Sequence, residues 1–276
     1  MNDLQPILGP DPALGLLAGF LGANVAVAAT VLAVAVARLP ARRALGPAAA
    51  YRLWLAPLII ALASLLVLFT PGDSETGSAA AALAAHMPHL GPIPAIWGAG
   101  MVALVALFTL AQARFLAEVR AGRGGPAVVG LIAPRIVLPA DDGRYTPEER
   151  ELIRAHEREH VARKDPRAAA VVALFQCLCW FNPFAHLAAY LLRLDQELAC
   201  DAAVVMHRPG TRVLYARTLL KAQLATTPLP FGCYWPARGQ HPLEVRIASL
   251  KRRTDRGRAG PQGDAVVLAL MDAIRP

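Results

Sequence analysis

Apolar residues dominate the first half of the chain in three long runs, and the second half changes to a mixed, charged pattern. Residues 13–37 are apolar apart from Asn24, Thr30 and small residues. Residues 53–70, LWLAPLIIALASLLVLFT, form a second run, and residues 93–116, opening IPAIWGAGMVALVALF, a third. At about 1.5 Å per helical residue, runs of this length suit a hydrocarbon core of about 30 Å. Trp54 and Trp97 stand near span ends, where interfacial aromatics collect. The expected architecture is a mainly α membrane protein: a transmembrane region over 1–117, a mostly helical domain with a short β element over 118–250, and a basic tail over 251–276.

Composition agrees. Apolar residues make up 55% of the chain and charged residues 17%, both far from the soluble norm. The formal charge of +8 is placed as membrane topology requires. Arg38, Arg42, Arg43 and Arg52 separate the first two runs, and Arg114, Arg120 and Arg123 surround the end of the third. Between the second and third lie Asp73 and Glu75 and no Lys or Arg. The positive-inside rule then puts the N-terminus outside and the chain immediately after residue 117, with the domain that follows, on the cytosolic side of a bacterial-type cytoplasmic membrane. No fingered or helix-turn-helix pattern accompanies the basic charge, so no direct nucleic-acid partner is expected. The opening MNDLQPILGPDP lacks a positive region and does not read as a cleaved signal peptide. Cys177, Cys179, Cys200 and Cys233 form no C-x-x-C pair and read as free thiols packed as small apolar residues.

Past a flexible joint at AGRGGP, the Val- and Ile-rich stretch 127–139 predicts one or two short strands, with Pro134 demoting part of it to an edge or bulge. Thr146-Pro147-Glu148-Glu149 then predicts a capping box and a helix ending near Asp165-Pro166. On that helix AHEREHV places His156 and His160 one turn apart on one face, with Glu157 directly after the first. Two imidazoles so spaced suit one tetrahedral zinc, and the glutamate suits a general base, the H-E-x-x-H arrangement. Downstream, QELACDAAV holds Glu197 as a candidate third ligand. Asp201, one turn on, is a candidate hydrogen-bond acceptor for the far nitrogen of a ligand histidine.

Glu197 can join only if the chain between turns back. Residues 168–192 are apolar enough to resemble a fourth span, but a single crossing would put Glu197 on the wrong side of the bilayer. Asn182-Pro183 is a breaker, and Gln176 and His186 are unwelcome in lipid. The expectation is a hairpin over 167–206, of helices near 167–180 and 184–206, that packs against or dips into the membrane and returns.

VVGLIAPRIVLP, HEREHVARKD, CWFNPFAHL and ELACDAAV, in this order, resemble the BlaR/MecR-type membrane metallopeptidases, the antirepressor peptidases. The resemblance covers about 20–260. It implies a gluzincin-like domain at the cytosolic face and one Zn2+ held by His156, His160 and Glu197, with Glu157 as general base and Asp201 behind the ligands. The strand in 127–138 would hold a protein substrate, a transcriptional repressor if the family's role carries over, by β-augmentation. GQHPLEVRIASL is similar to a segment of the related HtpX-type peptidases. That similarity implies His241 as oxyanion donor and Arg246 as a brace, with Tyr215 the other candidate donor. Sensing members carry a penicillin-binding domain after a further span. Here the last apolar run, AVVLALMDAI, is too short to cross, so β-lactam sensing is not carried over. Two rival readings are a quality-control protease of the HtpX type and a non-catalytic scaffold or relay. The tail KRRTDRGR fits anionic lipid, an acidic partner or a solvated end. A scaffold has no need of Glu157 beside both histidines.

Overall fold

The computed structural model describes residues 12–68, 92–138, 140–224 and 242–252. The candidate donor His241, most of the basic tail, Cys233 and the segment between the second and third spans lie outside the described residues. The chain divides into two compact units, 1–105 with 175–191, and 106–174 with 192–276.

The first unit is helical. It contains α1 (Pro12–Ala44), α2 (Pro47–Arg52), α3 (Leu55–Leu68) and the start of α4 (Ile93–Arg120). Among the described residues, three stretches are long and apolar enough to cross a membrane: Gly19–Ala44, Pro47–Leu66 and Ile93–Arg120. The chain is thus a multi-pass membrane protein. The arginines expected in a loop at 38–52 instead continue the helix: α1 runs through Arg42 and Arg43, and α2 follows after a break at Gly46, whose φ of 95° suits only glycine without strain. Ala41, Arg42, Arg43 and Ala44, good helix formers, carry α1 on past Pro40, which lies inside it. α1 buries Val27, Val31 and Val34, one helical stripe, while Val25, Leu32 and Val36 face outward. Large exposed aliphatics recur on α3 and α4, as lipid allows and water does not.

The α-helical hairpin is present as α6 (Asp165–Leu178) and α7 (Pro183–His207). At its turn Asn182 Oδ1 accepts the Phe184 backbone N–H at 2.9 Å and Pro183 takes the first helical position, so Asn-Pro both ends one helix and starts the next.

In the second unit the rest of α4 leads to an antiparallel pair, β1 (Ala127–Val129) and β2 (Arg135–Val137), in the register Ala127 to Val137. Gly130, with φ of 104°, starts the connection and Pro134 ends it just outside β2, so the proline costs no ladder bond. α5 (Pro147–Ala162) has both halves of its capping box. Thr146 Oγ1 accepts the Glu149 N–H at 3.2 Å, and Glu149 Oε2 accepts the Thr146 N–H at 2.9 Å. The helix stops three residues earlier than Asp165. Lys164 takes a left-handed φ of 60°, an uncommon conformation for a side-chain-bearing residue, and turns the chain sharply into α6. α8 (Arg212–Leu224) and α9 (Pro242–Arg252) follow a 3-10 turn at Pro209–Thr211. Leu152 of α5, Val204 and Val205 of α7, Tyr215 and Ala216 of α8 and Leu250 of α9 form one buried cluster that fixes these four helices together.

Candidate metal centre

The buried cluster presents one polar face. From α5, His156 and His160 stand one turn apart with Nε2 atoms 3.1 Å from each other. From α7, Glu197 places Oε2 at 3.3 Å from His156 Nε2 and Oε1 at 3.6 Å from His160 Nε2. The returning hairpin therefore does bring Glu197 to the two histidines.

The other face of each ring decides what the Nε2 atoms are. His160 Nδ1 lies 2.8 Å from Asp165 Oδ2, which can only accept. His156 Nδ1 lies 2.8 Å from the Tyr215 hydroxyl, and that hydroxyl donates to Asp201 Oδ1 at 2.7 Å. Each Nδ1 is thus tied to an oxygen partner, Asp165 or the Tyr215 hydroxyl, which leaves each Nε2 as the ring atom that faces Glu197 and a metal. The Glu197 carboxylate between the two rings favours a cation among these atoms. A tetrahedral ion with bonds of about 2.0–2.2 Å sets its ligands about 3.3–3.6 Å apart, close to the observed edges. His156, His160 and Glu197 accordingly fit one such ion. The Glu197 side chain is 25% exposed against 10% and 12% for the histidines, so solvent approaches from its side.

Asp201 meets His156 Nδ1 directly only at 3.4 Å. Tyr215 stands between them, wholly buried, with its hydroxyl engaged on both sides. Arg246 of α9 completes the layer. Its Nε and Nη2 donate to the two oxygens of Asp201, each at 2.8 Å, and its Nη1 lies 3.0 Å from Glu197 Oε2. Burial raises the Glu197 pKa, but Arg246 and the two imidazoles outweigh it and hold the carboxyl well below its ordinary range. Burial likewise opposes charge on His160, yet Glu197 and Asp165 lift its pKa well above the usual value. A pocket that draws a proton to this ring draws a metal cation for the same electrostatic reason. Glu157 is 6% exposed. Its pKa is raised by burial, within reach of the opposing pull of both histidines.

Two members of the site carried no signal in the sequence reading. Asp165 reads there as a helix stop, because the fifth residue after His160 falls on another face of any continuing helix. The left-handed Lys164 folds it back. Cys200 reads as apolar filling, and it is fully buried, but its Sγ lies 3.4 Å from His160 Nδ1 and accepts from Arg163 Nη1 at 3.5 Å. Among the described cysteines, Cys177, Cys179 and Cys200 are free.

Residues 116–250 match the family described as BlaR1 peptidase M56. The regulatory protein BlaR1 of Bacillus licheniformis is 31% identical over 80 residues, which are 29% of this chain. That stretch spans only 13% of the relative's own length. No solved structure matches the chain. Residues 116–250, just under half of the chain and the part that holds the two histidines and Glu197, are thus similar to the BlaR1-type peptidase M56 family.

Proposed function

We propose that the chain is a zinc-dependent endopeptidase that cleaves a protein at the cytosolic face of the membrane, with a transcriptional repressor as the favoured substrate. The observation that carries the reading is the convergence of the two histidine Nε2 atoms and the Glu197 carboxylate at tetrahedral spacing. Zinc, when bound by these three residues, supplies a lowered water pKa and a polarised scissile carbonyl.

The rest of the chemistry falls to the chain. Glu157, next to the first ligand, takes a proton from the attacking water and passes it to the leaving amine. Its burial favours that exchange by making the carboxylate a better base. Asp165 and Tyr215 hold the rings so that neither Nε2 can turn away. Arg246 holds Glu197 and Asp201 and balances their charge. Because the Tyr215 hydroxyl is already committed to His156 and Asp201, it acts here as a positioning residue, and the oxyanion falls to His241. The β1–β2 pair offers substrate a strand edge. The arginine distribution supports the cytosolic placement.

The test compares new protein N-termini in cells making the wild-type chain or Glu157→Gln. Zinc content should be equal in the two, and cleavage products should vanish in the variant. One new terminus in a DNA-binding protein supports the repressor reading, and scattered cuts in many membrane proteins would favour quality control instead. Identical termini in both cells would leave a metal-binding scaffold.

A further inference from the structure

The turn between α6 and α7 is fastened to the spans by polar bonds that lipid would not supply. Asn182 Nδ2 donates to Asn24 Oδ1 of α1 at 3.0 Å, and both side chains belong to buried residues. Asn24 Nδ2 in turn donates to the Phe20 carbonyl at 2.9 Å. Trp97 Nε1 of α4 donates to the Leu178 carbonyl at 2.9 Å, and Trp180 Nε1 returns a bond to the Trp97 carbonyl at 3.1 Å. The Phe20 ring meets the Trp97 and Phe181 rings edge-on, with centroids 6.1 and 6.0 Å away. Gly100 is flush against Trp180, where a Cβ would overlap the indole.

These partners lie at one level of the membrane. Asn24 precedes Arg38 by fourteen residues, and Gly100 precedes Arg114 by the same number, a helical rise of about 21 Å. Phe20 and Trp97 stand eighteen and seventeen residues before the same two arginines, about 26–27 Å up. If the arginines mark one edge of a core of about 30 Å, the turn is within one leaflet of the opposite edge. Four aromatic rings, two of them indoles with their N–H groups satisfied, suit the boundary between acyl chains and headgroups.

We infer that residues 179–182 dock in the leaflet opposite the one flanked by Arg38 and Arg114, so that the α6–α7 hairpin is a deep membrane element whose aromatic turn contacts the far headgroup boundary. Two helices thereby join the three spans in the bilayer. The helix leaving this turn is the one that carries Glu197 and Asp201. The inference rests on the membrane reading of α1 and α4 and not on peptidase activity.

Spin labels at Phe181→Cys and Leu45→Cys in the full chain, reconstituted in oriented lipid vesicles, test it. Phe181 and Leu45 are 41% and 76% exposed, whereas Cys177, Cys179 and Cys200 are buried, so a Cys233→Ser parent gives the background. Phe184→Cys serves as a second reporter if the first variant does not fold. The label at 181 should report a depth within about 10 Å of a headgroup surface, given the preference of aromatic anchors for that zone. An impermeant relaxing agent should act on it several-fold more strongly from the face opposite the one that reaches residue 45. Relaxation of both labels from the same face overturns the inference, as does a midplane depth for residue 181. Residue 45 reached from outside would reverse the orientation in the functional reading while leaving the hairpin's depth supported.

Discussion

Asp165→Asn isolates what the second layer contributes to the metal centre. The carboxylate lies 2.8 Å from His160 Nδ1, and its side chain is 2% exposed. Asparagine keeps the shape and one accepting oxygen but removes the charge. A hydrogen bond to a charged group contributes about 1.5–3 kcal/mol and a neutral one about 0.5–1.5 kcal/mol. The difference, on the order of 1–1.5 kcal/mol, corresponds to roughly a tenfold change in an equilibrium constant. Loss of the pull on the ring also makes Nε2 a poorer ligand, and outer partners of metal-bound histidines typically account for about 10–100-fold in affinity. The variant should therefore bind zinc at least about tenfold more weakly, measured by chelator competition on the detergent-purified chain. Asp142→Asn, at a side chain 46% exposed, is the control and should not differ from wild type. Equal zinc affinity in a folded Asp165→Asn protein would refute the argument that Asp165 sets the tautomer and basicity of His160.

Arg246→Met should do more damage, because it strands Asp201 and leaves Glu197 without its nearest cation. Breaking a buried pair by removing one partner costs about 3–5 kcal/mol, so lower yield and a lower melting temperature should accompany zinc loss. Thr146→Ala removes one half of the α5 cap and should destabilise by about 1 kcal/mol, read by thermal melting, with zinc affinity per folded molecule retained. The other half of that cap titrates. Burial raises the Glu149 pKa, but the Lys221 ammonium at 2.7 Å and the Thr146 N–H outweigh it and set it below its ordinary, unfolded-state value. Its contribution is present above that unfolded-state value and lost as pH falls through the folded value. Lys221→Met should thus be less stable than wild type at neutral pH, with the gap closing under acid. A gap that persists unchanged at low pH would contradict the pairing. Gly100→Val drives a side chain into Trp180 and should cost about 1–3 kcal/mol by overpacking, seen as a lowered melting temperature in detergent.

The membrane runs, the charge asymmetry, the capping box and the H-E-x-x-H helix are all legible in the sequence. Each depends on periodicity or on contacts within a few residues, which one-dimensional spacing encodes. Glu197 was legible for a weaker reason: a breaker at Asn182-Pro183 permits the return without dictating where the returning helix meets α5. Only the tertiary structure decided the second layer. Asp165 reaches His160 because Lys164 adopts a left-handed backbone, and a lysine carries no mark of that. Tyr215 stands between His156 and Asp201, which the sequence reading joined directly, because α8 packs against α5 and α7 through Leu152, Val204 and Val205. Asn24 meets Asn182 across 158 positions of sequence. In a chain so apolar an asparagine is expensive wherever it lies, so sequence flags that it needs a partner. Which partner it finds is a matter of how the helices pack.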